Sequence, residues 1–277
     1  MTLFQSLILG LVQGLTEFLP VSSTAHLILT PYIFGWTLTP AFEQAKFAFD
    51  VLVQWGTLLA VIVYFWYDLW RILRAVLAGL RARQPLGTPD ARLGWWMVVA
   101  TLPAVAAGLL FKDWIEQLHA QPYVVIGILI VFSALIFAAE RLGRRNRGLA
   151  SVTWLDALII GAAQAVALVP GVSRSGATIT GGLLVGLDRP AAARFSFLAS
   201  IPALVGAGVL ALKDLAAVPD AGAVVPPLLL GTLVAAVVGF ACIHWLLGYL
   251  AKASMDLFVW YRLLAGAAFL AVLFFRG

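Results

Sequence analysis

Residues 154–188 read WLDALIIGAAQAVALVPGVSRSGATITGGLLVGLD, an apolar segment that proline, glycine and serine interrupt near its middle. About 20 mostly apolar residues cross a membrane, but the centre of this segment, from Pro170 to Thr178, is too polar for a simple span. Proline and glycine free backbone groups that lipid cannot hydrogen-bond, so such a break persists only where protein or water covers it. The segment is therefore predicted to be re-entrant, with its turn at a buried polar cavity.

A second interrupted segment covers residues 3–35 and breaks within the run QGLTEFLPVSSTAH, residues 13–26. Several residues of this segment recur in the other one with small shifts. The matched pairs are Gly10 with Gly161, Gln13 with Gln164, Pro20 with Pro170, Val21 with Val172 and Ser22 with Ser173. If the two segments enter from opposite faces, this likeness indicates an inverted-topology repeat with a site at its interface. We predict one integral membrane domain over 1–277, with an internal repeat of approximately 1–140 and 150–277.

The rest of the chain has the composition of a membrane protein. Of its 277 residues, 62% are hydrophobic and 11% are charged, and the mean hydropathy is +1.00. Soluble domains contain more charged and fewer apolar residues than this. Full spans are predicted near residues 47–67, 93–111, 122–140, 190–212, 224–248 and 257–275. The predicted fold class is an all-α polytopic membrane protein with six transmembrane helices and two re-entrant helix-loop-helix segments.

The basic residues indicate orientation. Of the 18 Lys and Arg residues, 9 lie in the links that follow the first and third spans, and the positive-inside rule places both links in the cytoplasm. The links after the second and fourth spans have no basic excess and are predicted to face outward. The net charge of +5 therefore needs no nucleic-acid partner.

The first break carries residues suited to acid–base chemistry. Gln13 and Glu17 are four apart, so on a helix they share a face and could hold a cation or orient a polar group. Ser23 and His26 are three apart, and a base beside a hydroxyl is the minimal apparatus for activating a nucleophile. Because ionisable groups at membrane depth are costly and usually functional, Glu17, His26 and Arg174 are predicted site residues.

The second break, PGVSRSGAT over residues 170–178, is predicted to cradle a phosphate. Small residues let backbone amides point at a ligand, a helix N-terminus favours negative charge, and Arg174 adds a forked cation. The run lacks the Lys-Ser or Lys-Thr ending of a nucleotide P-loop, which argues against ATP. The predicted substrate-binding residues are Ser22, Ser173, Arg174, Ser175 and Thr178.

Two further charged residues have open roles. Asp50, at the start of the first span, is either a helix-terminal charge or part of the site. Arg262, in the last span, is expected to snorkel to the membrane surface or to pair with an acid, with a role in the site as the remaining alternative.

The two runs, 13–26 and 170–178, together with the overall length, resemble the bacterial undecaprenyl-diphosphate phosphatases of the bacitracin-resistance type. The resemblance covers essentially the whole chain, and the pattern PGxSRSxxT is highly specific. It places this chain's residues on the family's functional positions at Glu17, Ser23, His26, Ser173, Arg174 and Thr178.

The resemblance further implies hydrolysis of undecaprenyl diphosphate to the monophosphate, which recycles the carrier for peptidoglycan synthesis and confers bacitracin resistance. It implies dependence on Mg²⁺ or Ca²⁺, for which Glu17 and Gln13 are the predicted ligands, although some family members carry a second glutamate in place of Gln13. It also implies a site that opens to the periplasm from the inner membrane, and a possible homodimer.

The sequence leaves two alternatives open, one for the nucleophile and one for the function. Either Ser23 or a water molecule could attack the terminal phosphorus, with His26 as base or acid. A broken-helix transporter or flippase of an anionic lipid would also use inverted repeats and a phosphate cradle, although transport does not require the hydroxyl, imidazole and carboxylate of the first break. The lipid tail should leave sideways between spans, through a gap lined by phenylalanine and tryptophan.

Overall fold

The computed structural model describes residues 1–36, 40–217 and 221–276, and its regular secondary structure there is helical. In chain order the α-helices are α1 (Leu3–Thr16), α2 (Ser23–Phe34), α3 (Pro40–Leu52), α4 (Gln54–Tyr64), α5 (Trp66–Arg81), α6 (Pro89–Leu110), α7 (Lys112–His119), α8 (Pro122–Leu142), α9 (Trp154–Val166), α10 (Arg174–Leu184), α11 (Arg189–Ala216), α12 (Val225–Leu250) and α13 (Asp256–Arg276).

Six helical stretches are long and apolar enough to cross a membrane. They are Ala45–Tyr64, Pro89–Leu110, Pro122–Leu142, Arg189–Ala216, Val225–Leu250 and Asp256–Phe275. Large apolar side chains such as Leu229, Leu233 and Phe274 are 64–79% exposed on their outer surfaces, as expected where the surrounding solvent is lipid. The predicted polytopic all-α fold is confirmed, and each predicted span has its helix.

The two interrupted segments form helical hairpins. The first helix of each, α1 with 14 residues and α9 with 13, is only about 20 Å long at 1.5 Å per residue, which is short of the roughly 30 Å hydrocarbon layer. In each segment the two helices pack against each other, α1 on α2 and α9 on α10. Both segments are therefore helix-loop-helix units, as predicted.

Each hairpin also packs on a span from the other half of the chain. Helix α1 lies on α12, where a Cβ atom on Gly10 would be 2.5 Å from the Gly231 oxygen. Helix α9 lies on α6, where a Cβ atom on Gly161 would be 2.6 Å from the Ala100 oxygen. Glycine permits this close approach of backbones, as is common between membrane helices. An inverted repeat would give this reciprocal packing, and the repeat itself stays a prediction.

Caps in the sequence fix where two helices of the second half begin. Thr153 and Asp156 form a capping box at the start of α9, with the Thr153 hydroxyl accepting from the Asp156 amide at 3.2 Å. The Asp188 carboxylate accepts from the Ala191 amide at 2.7 Å at the start of α11. These side chains satisfy amides that have no partner within the helix, so the ends of the second hairpin are well defined.

Sequence analysis missed two helices in the charged links, α5 and α7. Helix α5 buries Ile72 but exposes Trp66, Tyr67 and Trp70, with basic residues alongside them. A helix with one apolar and one basic surface is typical of a membrane interface. Charge alone had identified this stretch only as a link.

A buried carboxylate ties the arginine-rich end of the helices together. The Glu140 side chain is fully buried and accepts hydrogen bonds from Arg145 at 2.6 Å, from Arg189 and from the Met255 amide at 3.2 Å. These contacts connect α8, α11 and the start of α13. The opposite end has a lighter, half-exposed ion pair between Lys112 and Asp214 at 3.0 Å.

Candidate active site

The turns of the two hairpins meet at one cavity. Glu17, Ser22 and Ser23 from the first hairpin and Ser173 and Arg174 from the second line its inner end. Residues that lie about 150 positions apart in the chain therefore share one site. This is the meeting of both breaks that the sequence predicted.

An ion pair between the two breaks occupies the centre of the site. Arg174 Nη2 donates to Glu17 Oε1 at 2.7 Å, and the two side chains are 13% and 3% exposed. Glu17 Oε2 accepts from Ser23 Oγ at 2.6 Å and from Gln13 Nε2 at 2.8 Å. Glu17 is thus the acceptor that brings together Gln13, Ser23 and Arg174.

Arg174 still has donors to offer. Its Nε and Nη1 atoms are buried and have no hydrogen-bond partner among the described residues. A buried donor without a partner costs free energy, roughly 1–3 kcal/mol and more when it is charged. Free donors on a buried guanidinium beside a cavity are therefore suited to an anionic ligand.

Two helix N-termini point at the same cavity. Ser22 and Ser173 cap α2 and α10, and both have a positive φ, of 72° and 81°. Their hydroxyls accept from the amides of Ala25 at 3.4 Å and Gly176 at 3.1 Å. The first amides of each helix have no partner within it, and the helix dipole makes this end positive. The pair of N-termini forms an anion-binding surface.

His26 is not where the sequence placed it. Its Nδ1 atom lies 2.8 Å from the Ser22 carbonyl oxygen, which can only accept, so Nδ1 carries a hydrogen. Its Nε2 atom lies 2.8 Å from the hydroxyl of Tyr261 on α13. His26 faces α13 and is not among the described residues that line the cavity. The expected contact between Ser23 and His26 is not formed, because Ser23 donates to Glu17 and both imidazole nitrogens have other partners.

Ser175 and Thr178 also differ from their predicted place. The Ser175 hydroxyl donates to the Leu19 carbonyl at 2.9 Å and so joins the two breaks. The Thr178 hydroxyl donates to the Arg174 carbonyl at 2.7 Å and meets Ser196 Oγ at 2.5 Å. Neither residue belongs to the described cavity lining. The geometry favours a positioning role for both.

Arg262 neither snorkels nor pairs with an acid among the described residues. Its side chain is fully buried, and all of its nitrogen atoms donate hydrogen bonds. Nε donates to Ser133 Oγ at 3.0 Å, Nη1 to the Pro20 and Val172 carbonyls at 3.3 and 3.1 Å, and Nη2 to the Leu129 and Gly171 carbonyls at 2.9 Å each. Arg262 therefore holds the turns of both breaks against α8 and α13. A lone arginine within an apolar span was the signal for this role.

Two further polar residues of the spans have buried oxygen atoms without a partner among the described residues. Asp50 pairs with Lys46 through Oδ2 and does not belong to the described lining, while its Oδ1 atom has no partner there. Gln164, matched to Gln13 in the sequence but given no role, does line the cavity. Its side chain is 3% exposed; Nε2 donates to the Ala100 carbonyl at 3.1 Å, while Oε1 has no partner among the described residues.

The mouth of the cavity lies at the ends of α6 and α11. Lys112, His119 and Asp214 line it. The hydrogen bond to Asp214 raises the pKa of the Lys112 ammonium, and burial lowers the pKa of the His119 imidazole. The mouth therefore carries an ammonium paired with Asp214 and an imidazole whose charged form burial disfavours.

The oxygen atoms around Glu17 could hold a hard cation such as Mg²⁺ only together with oxygen atoms of a bound ligand. The described residues contain no group of three or more His, Cys, Asp or Glu side chains placed to hold a metal ion. Mg²⁺ is commonly held by one or two carboxylates together with substrate phosphates. Beside the Glu17 carboxylate, Gln13 Oε1 is buried and has no hydrogen-bond partner in the described chain. Gln13 is fully buried and does not belong to the described cavity lining, so Glu17 is the carboxylate that could share a cation with phosphate oxygens of a ligand.

Comparisons with known proteins agree along nearly the whole chain. A family model described as Bacitracin resistance protein BacA matches residues 6–268. An undecaprenyl-diphosphatase of Pelodictyon phaeoclathratiforme is 45% identical over 283 residues, covering 98% of this chain and 96% of that protein. Proteins with the same name from Chloroherpeton thalassium and Myxococcus xanthus are 44% and 45% identical, covering 99% of this chain and 97% and 90% of their own lengths.

Proposed function

Because the chain belongs to the family of the bacitracin resistance protein BacA, we propose that it is an undecaprenyl-diphosphatase. It hydrolyses the phosphoric anhydride of undecaprenyl diphosphate, which gives the monophosphate carrier for cell-wall synthesis and inorganic phosphate. One observation carries the proposal beyond the family: residues at the N-termini of α2 and α10 line the same cavity as Glu17, and Arg174 among them has two buried donors without a partner in the described chain.

The diphosphate binds between the two breaks. Arg174 Nε and Nη1 donate to its oxygens, and the first amides of α2 and α10 face the same charge. Phosphoryl transfer needs little from a protein beyond positioning and charge stabilisation, and these groups supply both. As phosphate oxygens attract Arg174, the Glu17 carboxylate is released from part of its ion pair, so its oxygens can accept a proton and help to hold a cation.

Glu17 is the base in either route of attack. In one route, Ser23 Oγ forms a bond to the terminal phosphorus, its proton passes to Glu17 at 2.6 Å, and the anhydride bond breaks to release undecaprenyl phosphate. Water then hydrolyses the phosphoserine. In the other route, a water molecule beside Ser23 gives its proton to Glu17 and attacks directly. Recovery of phosphorylated Ser23 after rapid quenching supports the first route, whereas a Ser23→Ala enzyme with most of its turnover supports the second.

A divalent cation, Mg²⁺ or Ca²⁺, is part of the proposal. When bound, it neutralises charge on the diphosphate. Glu17 would hold it through its carboxylate oxygens, and the substrate would complete its coordination. Removal of divalent ions by a chelator is expected to abolish phosphate release, and Mg²⁺ or Ca²⁺ is expected to restore it.

The proposed location is the bacterial inner membrane, with the cavity open to the periplasm. Support comes from the mouth at Lys112 and Asp214, which lies at the opposite end of the spans from the arginine-rich links. The chain has one cysteine, Cys242, which is buried. After its replacement by alanine, a cysteine at Glu116 should react with a membrane-impermeant thiol reagent added to spheroplasts, and a cysteine at Arg144 should not. The reverse pattern would contradict this orientation.

The function is tested with purified protein in detergent. Wild type should release phosphate from undecaprenyl diphosphate in the presence of Mg²⁺ and leave undecaprenyl monophosphate intact. If well-folded protein releases no phosphate with any divalent cation, but moves the lipid between leaflets of a vesicle, the activity is transport and the phosphatase proposal is wrong.

A further inference from the structure

The outer half of the cavity is an apolar slot between two spans. Its walls are formed by Ala104, Val105 and Gly108 of α6 and by Ala203, Gly206 and Ala207 of α11. We call these six residues the α6–α11 slot. Helices α6 and α11 also pack against each other, so the slot is a local widening of a real helix interface.

The slot is continuous with the anion-binding end of the cavity, where Glu17, Ser173 and Arg174 belong to the same lining. Between the two ends lies Gln164, which is 3% exposed and whose Oε1 has no partner among the described residues. A buried acceptor without a partner is commonly satisfied by an ordered water. Because Arg174 lies at the inner end and the walls of the outer end are apolar, a ligand that fills the whole cavity must be anionic at one end and apolar at the other.

The outer end of the slot borders exposed apolar surface of the two spans. Leu109 and Leu210, which border it on α6 and α11, are 66% and 48% exposed on apolar parts of their spans. In a bilayer these surfaces face lipid tails. A chain in the slot could therefore stay in the hydrocarbon layer while its headgroup reaches Arg174.

Small side chains give the slot its width. A Cβ atom on Gly206 would have no atom within 4 Å, and one on Gly108 would meet only Leu168 at 3.7 Å. Among the described residues that line the cavity, Phe47 is the one phenylalanine or tryptophan. Where the lipid tail leaves between the spans stays a prediction.

From this continuity we propose that the α6–α11 slot is the binding site for the first isoprene units of the substrate's prenyl chain, an inference that rests on the proposed phosphatase function. The diphosphate lies at Arg174, and the chain runs outward past Gln164 between the two spans. The slot thereby selects diphosphates that carry a flexible, branched hydrocarbon chain.

Gly206→Leu tests the slot with little risk to folding. Glycine is the poorest ordinary helix former and leucine is among the best, and the space beside Gly206 is open. Gly127→Leu is the matched control, because Gly127 lies exposed on α8, also has no atom within 4 Å of an added Cβ, and does not belong to the cavity lining. Both variants are compared with wild type on undecaprenyl diphosphate and on methyl diphosphate, which has no prenyl chain.

Gly206→Leu is expected to raise KM for undecaprenyl diphosphate at least tenfold and to leave kinetics on methyl diphosphate within twofold of wild type. Gly127→Leu should stay within twofold on both substrates. An unchanged KM for the long substrate in Gly206→Leu would overturn the proposal, and so would an equal loss on methyl diphosphate, which would indicate a distorted headgroup site.

A binding experiment separates failure of the slot from failure of the phosphatase function. A farnesyl diphosphate analogue with a photoreactive group on its first isoprene unit should label peptides of α6 or α11 in wild type, and Gly206→Leu should reduce that labelling. Labelling confined to other helices would overturn the slot even if phosphate is released. Labelling of the slot without turnover would support the slot and contradict the phosphatase. If added phospholipid reduces the labelling but added prenyl diphosphate does not, the slot binds bulk lipid and the proposal is wrong.

Discussion

The two breaks share a backbone design and differ in the charge they present. In each, a short helix ends, the chain turns near a proline, and a serine with positive φ caps the next helix, Ser22 in the first break and Ser173 in the second. The first break contributes the carboxylate of Glu17, and the second contributes the guanidinium of Arg174. A 2.7 Å ion pair joins these two groups. Two breaks of similar backbone therefore form one site that has a carboxylate on one side and a guanidinium on the other.

This difference separates two tasks. The second break contributes a guanidinium and a helix N-terminus but no carboxylate, which suits binding of a phosphate. The first break has a carboxylate that accepts a hydrogen bond from a hydroxyl, which suits proton transfer. Substitutions in the first break should therefore slow the chemical step, and those in the second should weaken binding of the anion as well.

Replacement of Glu17 should have the largest effect. Glu17→Gln keeps the size of the side chain but removes the base, so kcat is expected to fall by about 10³-fold, within the range of general-base contributions. Asp156→Asn is the matched control, since Asp156 also stands in the first helix of a hairpin and pairs with an arginine, Arg147 at 2.6 Å, away from the described cavity lining. Its turnover should stay within about threefold of wild type. Similar losses in both variants would argue against a special role for Glu17.

Replacement of Arg174 should come next. Arg174→Lys keeps the charge but loses the forked donors, and Nε and Nη1 are the two that have no protein partner among the described residues. We expect kcat/KM for undecaprenyl diphosphate to fall by about 10²-fold, with a clear rise in KM. A variant that loses only kcat, with KM unchanged, would show that the second break does not bind the substrate in its ground state.

The helices could be predicted from the sequence more completely than the contacts between the residues of the site. Hydropathy and the two polar interruptions gave the spans and the hairpins because both are properties of contiguous residues. Charged and hydroxyl residues within the two interruptions also led to Glu17, Ser23 and Arg174 as predicted site residues. Spacing could not show that Ser23 turns to Glu17, or that His26 turns to Tyr261, a residue 235 positions away, because such contacts depend on which helices pack together.

The contacts of Arg262 could not be predicted from the sequence either. A lone charge in an apolar span indicated importance, but its partners are backbone carbonyls of Pro20, Gly171 and Val172. Every residue has a backbone carbonyl, so the sequence does not show which of them accept hydrogen bonds from a side chain. The α6–α11 slot escaped detection for a related reason, since its defining feature is space beside glycine and alanine.

The role of Arg262 can be tested by its removal. Arg262→Met keeps apolar bulk but leaves several buried acceptors without donors, so the free energy of unfolding in detergent should fall by on the order of 3 kcal/mol or more. Arg141→Met is the control, because Arg141 pairs with Asp256 while 54% exposed, and such a pair contributes under about 1 kcal/mol. Thermal unfolding of the two variants gives the comparison. Equal stability would mean that the two breaks hold together without Arg262.

His26 should have the smallest effect on turnover among these residues. Since its imidazole contacts the Ser22 carbonyl and the Tyr261 hydroxyl, it positions the turn, and His26→Ala is expected to lower kcat by about tenfold or less, below the usual contribution of a general base. Tyr261→Phe should lower it by less again. If His26→Ala loses as much as Glu17→Gln, His26 moves into the cavity during the reaction and is the base.

The central claim is that Glu17 and Arg174 act as one unit across the two breaks. It is tested most directly by single-turnover phosphate release from undecaprenyl diphosphate in wild type, Glu17→Ala, Arg174→Ala and the double variant. Residues that act as a unit have non-additive effects, so the double variant should be no slower than the slower single variant. If the two losses multiply in the double variant, the carboxylate and the guanidinium act independently and the account of a single shared site is wrong.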